Sequence, residues 1–409
     1  MQRIVIIGSG QGGLQMAASL RQEKFEGSIV LIGEEPGLPY QRPPLSKAYM
    51  EDGNGAALAL RSGSFFERSE ITLLDGRRAV AIDRKAQEIA LDDGRRTSYD
   101  HLILATGARN FLPPIPGITA RGVMSLRTLT DAERLRSAIA RASHAVVVGG
   151  GFIGLEFAAM ARKSGLPVTV VEAAERLMAR AVSPAMSRAF LEKHRAMGSN
   201  VRLNALAGAV LTDVEGRARG VSLADGTAIA GDLILIATGV RPNVELAAEA
   251  GLENANGIAV DGLLRTSDPA VSALGDVCSF PLGGVRVRLE SVQAAVDHAR
   301  HIAKVLVKGE TAHYNALPWF WSDQADWKLQ IAGLALDADE ELAVSRESGA
   351  PLVLRFGAGR LLSAETVNDA GSHMAARNLI GTSKSLLESN NYNLRAVLKA
   401  LKEASAVVA

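Results

Sequence analysis

Short β-branched apolar runs, each closed by a glycine-rich turn, recur along this chain. Residues 3–7 read RIVII and lead into GSGQGG, and residues 145–148 read AVVV and lead into GGGFIG. Each run predicts a buried strand, and the sequence after each turn, at 14–22 and 155–164, predicts a helix. A further apolar run follows in each case: SIVLI at 28–32, ending in Gly33-Glu34-Glu35, and PVTVV at 167–171, ending in Glu172. Later still, DHLILATG from Asp100 resembles DLILIATG from Asp232. The offset between the copies is 141 from Gly8 to Gly149, 138 from Glu34 to Glu172 and 132 from Ala105 to Ala237. Such drift is what insertions and deletions leave in two copies of one domain. Residues 200–229 are short and turn-rich and predict a small antiparallel insertion.

Both turns fit G-x-G-x-x-G between a strand and a helix. Gly8, Gly10 and Gly13 (with Gly12 inside) form the first, and Gly149, Gly151 and Gly154 the second. The first glycine permits the tight turn, the second lets backbone approach a pyrophosphate, and the third lets helix and strand pack closely. The helix N-terminus then offers unpaired N–H groups and the positive end of its dipole to the phosphates. Glu34 and Glu172 suit carboxylates that accept hydrogen bonds from ribose hydroxyls. Two complete copies predict two dinucleotides, and flavin plus nicotinamide is the pair between which a hydride passes directly. The predicted fold class is α/β, with two Rossmann-like dinucleotide-binding domains.

Composition narrows the chemistry. Of 409 residues, 47% are hydrophobic and 22% charged, which is ordinary globular material. A formal net charge of +1 without a long basic run argues against nucleic acid as the partner. Cys278 is the only cysteine, so no intramolecular disulfide can form, whether structural or catalytic. No uninterrupted apolar stretch reaches the roughly 18 residues that suggest a membrane span. Only Met1 to Arg3 precede the first apolar residue of that run, so no signal peptide is expected, and a cytoplasmic location is expected with it. His298 and His301 sit three apart on a helix-like segment. No acidic or cysteine cluster completes a ligand set around them, so no metal is expected.

Residues 39–49 read PYQRPPLSKAY and residues 318–324 read PWFWSDQ. With the order of glycine turn, A-T-G, second turn, second A-T-G and Gly275-Asp276, these stretches resemble the FAD-dependent ferredoxin reductases of the putidaredoxin, rhodocoxin and palustrisredoxin type, from residue 2 to about 380. The resemblance implies that the N-terminal copy binds FAD, with Gly12, Glu34, Lys47, Val80, Arg127, Asp276 and Val292 in contact. It implies that the second copy binds NADH through Gly149, Gly151, Gly154, Glu156 and Glu172. It also implies that Lys47 and Glu156 lie where flavin and nicotinamide meet, and that Trp321 serves the flavin and the docking face.

By the same resemblance, an FAD domain (1–112 and 245–315) is interrupted by an NADH domain (113–244). A smaller α+β C-terminal interface domain (316–409) follows, with strands at 329–334 and 352–356 and a helix at 393–406. The activity implied is hydride transfer from NADH to FAD, then single electrons to a two-iron ferredoxin serving a heme-thiolate monooxygenase. A cysteine-pair relay is impossible with one cysteine, so electrons leave from the flavin. Other readings stay open: an NADH oxidase, a rubredoxin or dehydroascorbate-radical reductase, or a non-enzymatic flavoprotein. Two departures from the family pattern touch the site. Gly275-Asp276 is followed by Val277-Cys278 where the family reads cysteine directly, and Val367-Asn368 is followed by Asp369 where the family has a basic residue. Arg286 and Arg288, two apart on a strand-like stretch, are the predicted basic face for an acidic ferredoxin.

Overall fold

The computed structural model describes residues 2–346 and 350–408. The chain divides into two compact units. One contains Met1–Arg42, Asn54–Arg109 and Val240–Ala316, and the other Pro43–Gly53, Asn110–Gly239 and Leu317–Ala409.

In the first unit, strand Arg3–Ile7 is the centre of a parallel sheet. It pairs with Ser28–Ile32 on one side and His101–Leu104 on the other, with Ile71–Leu74 and Val271–Ala273 at the edges. Val5, Ile6, Leu102 and Ile103 are fully buried, which is why these strands read as unbroken apolar runs. Helix Gln11–Gln22 begins three residues before the predicted start at 14, because Gly12 and Gly13 lie inside its first turn. Those glycines carry no apolar signal but are needed for packing. A Cβ on Gly12 would fall 2.5 Å from Leu274 Cδ1, and helix Val292–Lys308 packs against this helix.

The second unit repeats this plan. Strand Ala145–Val148 lies between Val168–Val171 and Leu233–Ile236, with Asn200–Arg202 and Val123–Met124 at the edges, all parallel. Helix Phe152–Lys163 again starts three residues ahead of the prediction, with Gly154 inside its first turn. The predicted antiparallel insertion at 200–229 is shorter than expected. Asn200–Arg202 joins the parallel sheet, and the antiparallel part is Ala207–Thr212, Ala218–Leu223 and Ala228–Ala230. Its counterpart in the first unit is Ala79–Asp83, Glu88–Leu91 and Arg96–Ser98.

The C-terminal part of the second unit is an antiparallel sheet in the order Trp319–Gln324, Trp327–Gly333, Arg360–Val367, Leu352–Gly357, Glu340–Val344. Helices Ala370–Leu379, Lys384–Glu388 and Leu394–Val408 accompany it, over a core that includes Leu354, Phe356, Leu361, Leu379 and Leu394. No helix among the described residues is long and apolar enough to cross a membrane.

Candidate functional site

The two glycine turns share their backbone geometry. Gly8 and Gly149 have φ of +109° and +111°, in the region that side chains avoid. Their N–H groups donate to Ile32 O and Val171 O, each at 2.8 Å. A Cβ on either would collide with the carbonyl of the A-T-G alanine, 2.1 Å from Ala105 O or 2.3 Å from Ala237 O. Gly13 and Gly154 pack against the turn itself, their Cβ positions lying 1.8 and 2.2 Å from Gly8 O and Gly149 O. The middle glycines, Gly10 and Gly151, face open space and serve as N-caps without any side-chain cap. Each helix therefore presents bare N–H groups beside a gap that no side chain fills, which fits a pyrophosphate. The two A-T-G ends also match: Thr106 Oγ1 donates to Asn243 O and Thr238 Oγ1 to Phe111 O, each at 2.8 Å.

The acids differ between the copies. Gly33 N donates to Leu74 O and Glu172 N to Arg202 O, so the structural counterpart of Glu172 is Gly33 and not Glu34. Glu172 Oε2 accepts Gly150 N–H at 2.6 Å and Oε1 accepts Ala174 N–H at 2.7 Å, which fixes the carboxylate at the glycine turn. Arg176, four residues beyond Glu172, donates to Val182 O at 2.8 Å and Ala179 O at 2.6 Å. In the first copy Ser9 occupies the space that a Gly33 side chain would need. Glu35 takes Tyr40 Oη and Arg42, while Glu34 is exposed, 3.9 Å from Arg78.

Lys47 and Glu156, 109 positions apart in the sequence, meet in the second unit. Lys47 follows the turn Pro43–Ser46, which packs on helix Phe152–Lys163. Glu156 is on that helix, two residues beyond Gly154, and is 5% exposed. Lys47 Nζ lies 3.1 Å from Glu156 Oε1 and 3.2 Å from Asp323 Oδ2. Ser322 Oγ donates to Glu156 Oε1 at 2.7 Å and Ser46 Oγ to Oε2 at 2.6 Å. A carboxylate nearly out of water is thus held by a cation and two hydroxyls. The sequence reading missed Ser46, Ser322 and Asp323, although each lies within two residues of one it singled out, in PPLSK and FWSDQ.

The remaining candidates are divided between the two units. Val80 is 38% exposed on strand Ala79–Asp83. Asp276 lies in the turn Gly275–Val277, and Val292 opens helix Val292–Lys308, capped by Ser291 Oγ. These belong to the first unit; Arg127 and Trp321 belong to the second. Arg127 N–H donates to Asp131 Oδ2 ahead of helix Leu129–Ile139. Trp321 is half-buried, its ring 5.6 Å from that of Trp319.

One further expectation needs correction. Arg286 and Arg288 are not two free cations on one face: Arg286 is exposed, yet its guanidinium donates to Ser279 O at 2.6 Å and Val260 O at 3.1 Å. Arg288 is 9% exposed, 2.7 Å from Glu290, and donates to Asp276 O. Both guanidinium groups are turned onto backbone carbonyls. His298, weighed as a ligand, is buried, and its Nδ1 accepts Gly275 N–H at 3.2 Å, steadying the Asp276 turn. Burial holds its pKa down at about 3, so it is neutral. Cys278 is fully buried, and burial pushes its thiol far above the ordinary value. Asp369 caps helix Ala370–Leu379 through Ser372 N–H and pairs with Arg395.

The chain matches two families: pyridine nucleotide-disulphide oxidoreductase over residues 2–299, and reductase C-terminal over 319–402. It is 50% identical over 383 residues to rhodocoxin reductase of Rhodococcus erythropolis, covering 93% of this chain and 89% of that protein. Among solved structures, the ferredoxin reductase for the CYP199A2 system from Rhodopseudomonas palustris superposes with a TM-score of 0.93 at 41% identity, covering 97% of this chain and 100% of that one. The covalent putidaredoxin reductase–putidaredoxin complex gives 0.92 at 34% identity, covering 98% of this chain and 99% of that one.

Proposed function

We propose, from the premise that this chain belongs to the pyridine nucleotide-disulphide oxidoreductase family, that it is an NADH-dependent ferredoxin reductase. Its electrons go to a two-iron ferredoxin and on to a heme-thiolate monooxygenase, in the cytoplasm. Residues 1–112 and 245–315 are the FAD-binding domain, 113–244 the NADH-binding domain and 316–409 the C-terminal interface domain. The observation that carries the reading is the pair of matched, uncapped glycine cradles in a chain whose lone cysteine is buried.

When bound, the two dinucleotides supply hydride transfer from NADH to FAD and the release of single electrons. Gly8, Gly10, Gly12 and Gly13 hold the FAD pyrophosphate, with Glu34, Val80, Asp276 and Val292 as further contacts. Gly149, Gly151 and Gly154 hold the NADH pyrophosphate. Glu172, pinned by Gly150 and Ala174, keeps its free lone pairs for ribose hydroxyls and repels a 2′-phosphate. Lys47 and Glu156 are the catalytic pair. Glu156 opens the second turn of the helix that would receive the NADH pyrophosphate, and its charge fixes the Lys47 ammonium there. Arg127 and Trp321 complete the assignment implied by the motifs. No thiol intervenes, because Cys278 is inaccessible and has no second cysteine to pair with.

Anaerobic NADH should bleach the flavin of the purified protein, and cytochrome c reduction should appear only on adding a two-iron ferredoxin. Cytochrome c or oxygen reduction at the same rate without ferredoxin would overturn this reading and favour an oxidase.

A further inference from the structure

Behind Glu156 runs a second line of buried polar side chains. Ser322, Gln324 and His194 are all fully buried. Ser322 Oγ, which donates to Glu156, accepts Gln324 Nε2 at 3.2 Å. Gln324 Oε1 faces His194 Nε2 at 2.8 Å, and Gln324 Nε2 also approaches Met178 Sδ at 3.5 Å. His194 belongs to helix Pro184–Ala196, and its Nδ1 is buried without a partner. Burial lowers the imidazole pKa, so the ring is neutral.

The direction of every bond in this line is forced. A hydroxyl has one proton, and Ser322 gives its proton to the carboxylate. Its oxygen must then receive a proton from Gln324, whose amide nitrogen therefore points at Ser322. The amide oxygen is left facing the imidazole, which must carry its proton on Nε2. Any reversed link would set two donors or two acceptors against each other in a water-free interior.

We infer that His194, Gln324 and Ser322 are positioning residues: a one-way hydrogen-bond line that presents the Ser322 hydroxyl to Glu156 as a donor and so holds the carboxylate toward Lys47. This rests on the reading of Lys47 and Glu156 as the pair at the hydride step. With the line intact, Glu156 has donors at both oxygens and cannot swing away from the ammonium. With it broken, Ser322 can rotate and donate elsewhere.

The test uses the full-length holoprotein with 15N-labelled histidine. The His194 Nε2–H resonance, identified by its loss in His194→Gln, should be a slowly exchanging, hydrogen-bonded proton. It should move in Ser322→Ala and in Glu156→Gln, which lie two and three links away. In stopped-flow reduction at saturating NADH, Ser322→Ala and Gln324→Leu should slow hydride transfer about tenfold with the NADH Kd unchanged, and Ser322→Thr should restore the rate. If Gln324→Leu does not fold, Ser322→Ala, which removes one buried oxygen, decides alone. An unmoved His194 resonance in Ser322→Ala, or wild-type reduction in that variant while Glu156→Gln is slow, overturns the inference. Wild-type reduction in Glu156→Gln overturns the underlying reading and the inference with it.

Discussion

Glu172 accepts the N–H of Gly150 at 2.6 Å, binding the end of one strand to the glycine turn at the end of its neighbour. Gly33, in the equivalent place in the other copy, has no side chain, and Ser9 takes up the space. The second copy, which we propose takes NADH, is thus the one with a fixed negative charge beside its glycine turn. Its nearest arginine in sequence, Arg176, is committed to backbone carbonyls. NADH should therefore be preferred to NADPH. Glu172→Ala should reduce the ratio of kcat/KM values at least tenfold, or roughly 1.4 kcal/mol of discrimination. Faster wild-type turnover with NADPH at equal concentration would remove the argument.

The ion pair of Lys47 and Glu156 sets a second expectation. Removing Lys47 leaves the Glu156 charge in a nearly dry place, so that substitution should cost more than the loss of one contact, while Lys47 without Glu156 keeps Asp323. Lys47→Ala and Glu156→Gln should each slow flavin reduction at saturating NADH by at least tenfold, about 1.4 kcal/mol of barrier. Transfer from the pre-reduced enzyme to ferredoxin should be unaffected. Rapid-mixing measurements of the two half-reactions check this, and equal slowing of both would assign the pair a structural role.

Much of this was legible in the sequence because it depends on local rules. The parallel strands read as unbroken apolar runs, and the glycines at 8, 10 and 13 and at 149, 151 and 154 stand at positions where the backbone demands them. The contacts around Glu156 were not legible. Ser46, Ser322, Gln324 and His194 are up to 278 positions apart (46 to 324), and nothing in periodicity joins them. The pairing of Glu34 with Glu172 failed by one residue because acidity was matched in place of strand register. Arg286 and Arg288 looked like a free basic face because alternation reveals which residues share a side, and not which carbonyls wait there.

Glu365 gives a pH dependence with a definite sign. It is fully buried in the C-terminal sheet, accepting Ser183 N–H at 2.8 Å and Ser183 Oγ at 2.6 Å. Burial raises its carboxyl from 4.5 to about 7, against the opposing effects of Ser183 and Arg355, with Glu341 adding to the rise. Because the folded value is the higher one, stability from the protonated group is complete below about 4.5 and is lost as pH rises through about 7. The loss is about 3 kcal/mol at most. Glu365→Gln, which can still accept from the Ser183 amide and meet its hydroxyl, should flatten this part of the profile. Denaturant midpoints at pH 5 and pH 8 should converge in the variant relative to wild type. An unchanged difference would mean that the group ionises normally.

The electron exit is better sought in the C-terminal part of the second unit than at Arg286. Arg377 lies 4.9 Å over the ring of Trp319, Trp319 lies 5.6 Å from Trp321, and Met374 beside them is 52% exposed. Apolar rings with one fixed cation suit an acidic ferredoxin: the aromatics supply contact area and the guanidinium supplies orientation. With a net charge of only +1, the whole molecule exerts no strong pull, so a local cation must provide it. Ferredoxin reduction should weaken as salt rises, because such steering is screened over about 10 Å at 0.1 M. Arg377→Glu should raise the KM for ferredoxin several-fold and flatten the salt dependence while leaving flavin reduction by NADH intact. Arg286→Glu, whose wild-type guanidinium is tied to Ser279 and Val260, should lower stability without that change in salt response. A KM increase confined to Arg286→Glu would return the exit to the face that the sequence pattern first suggested.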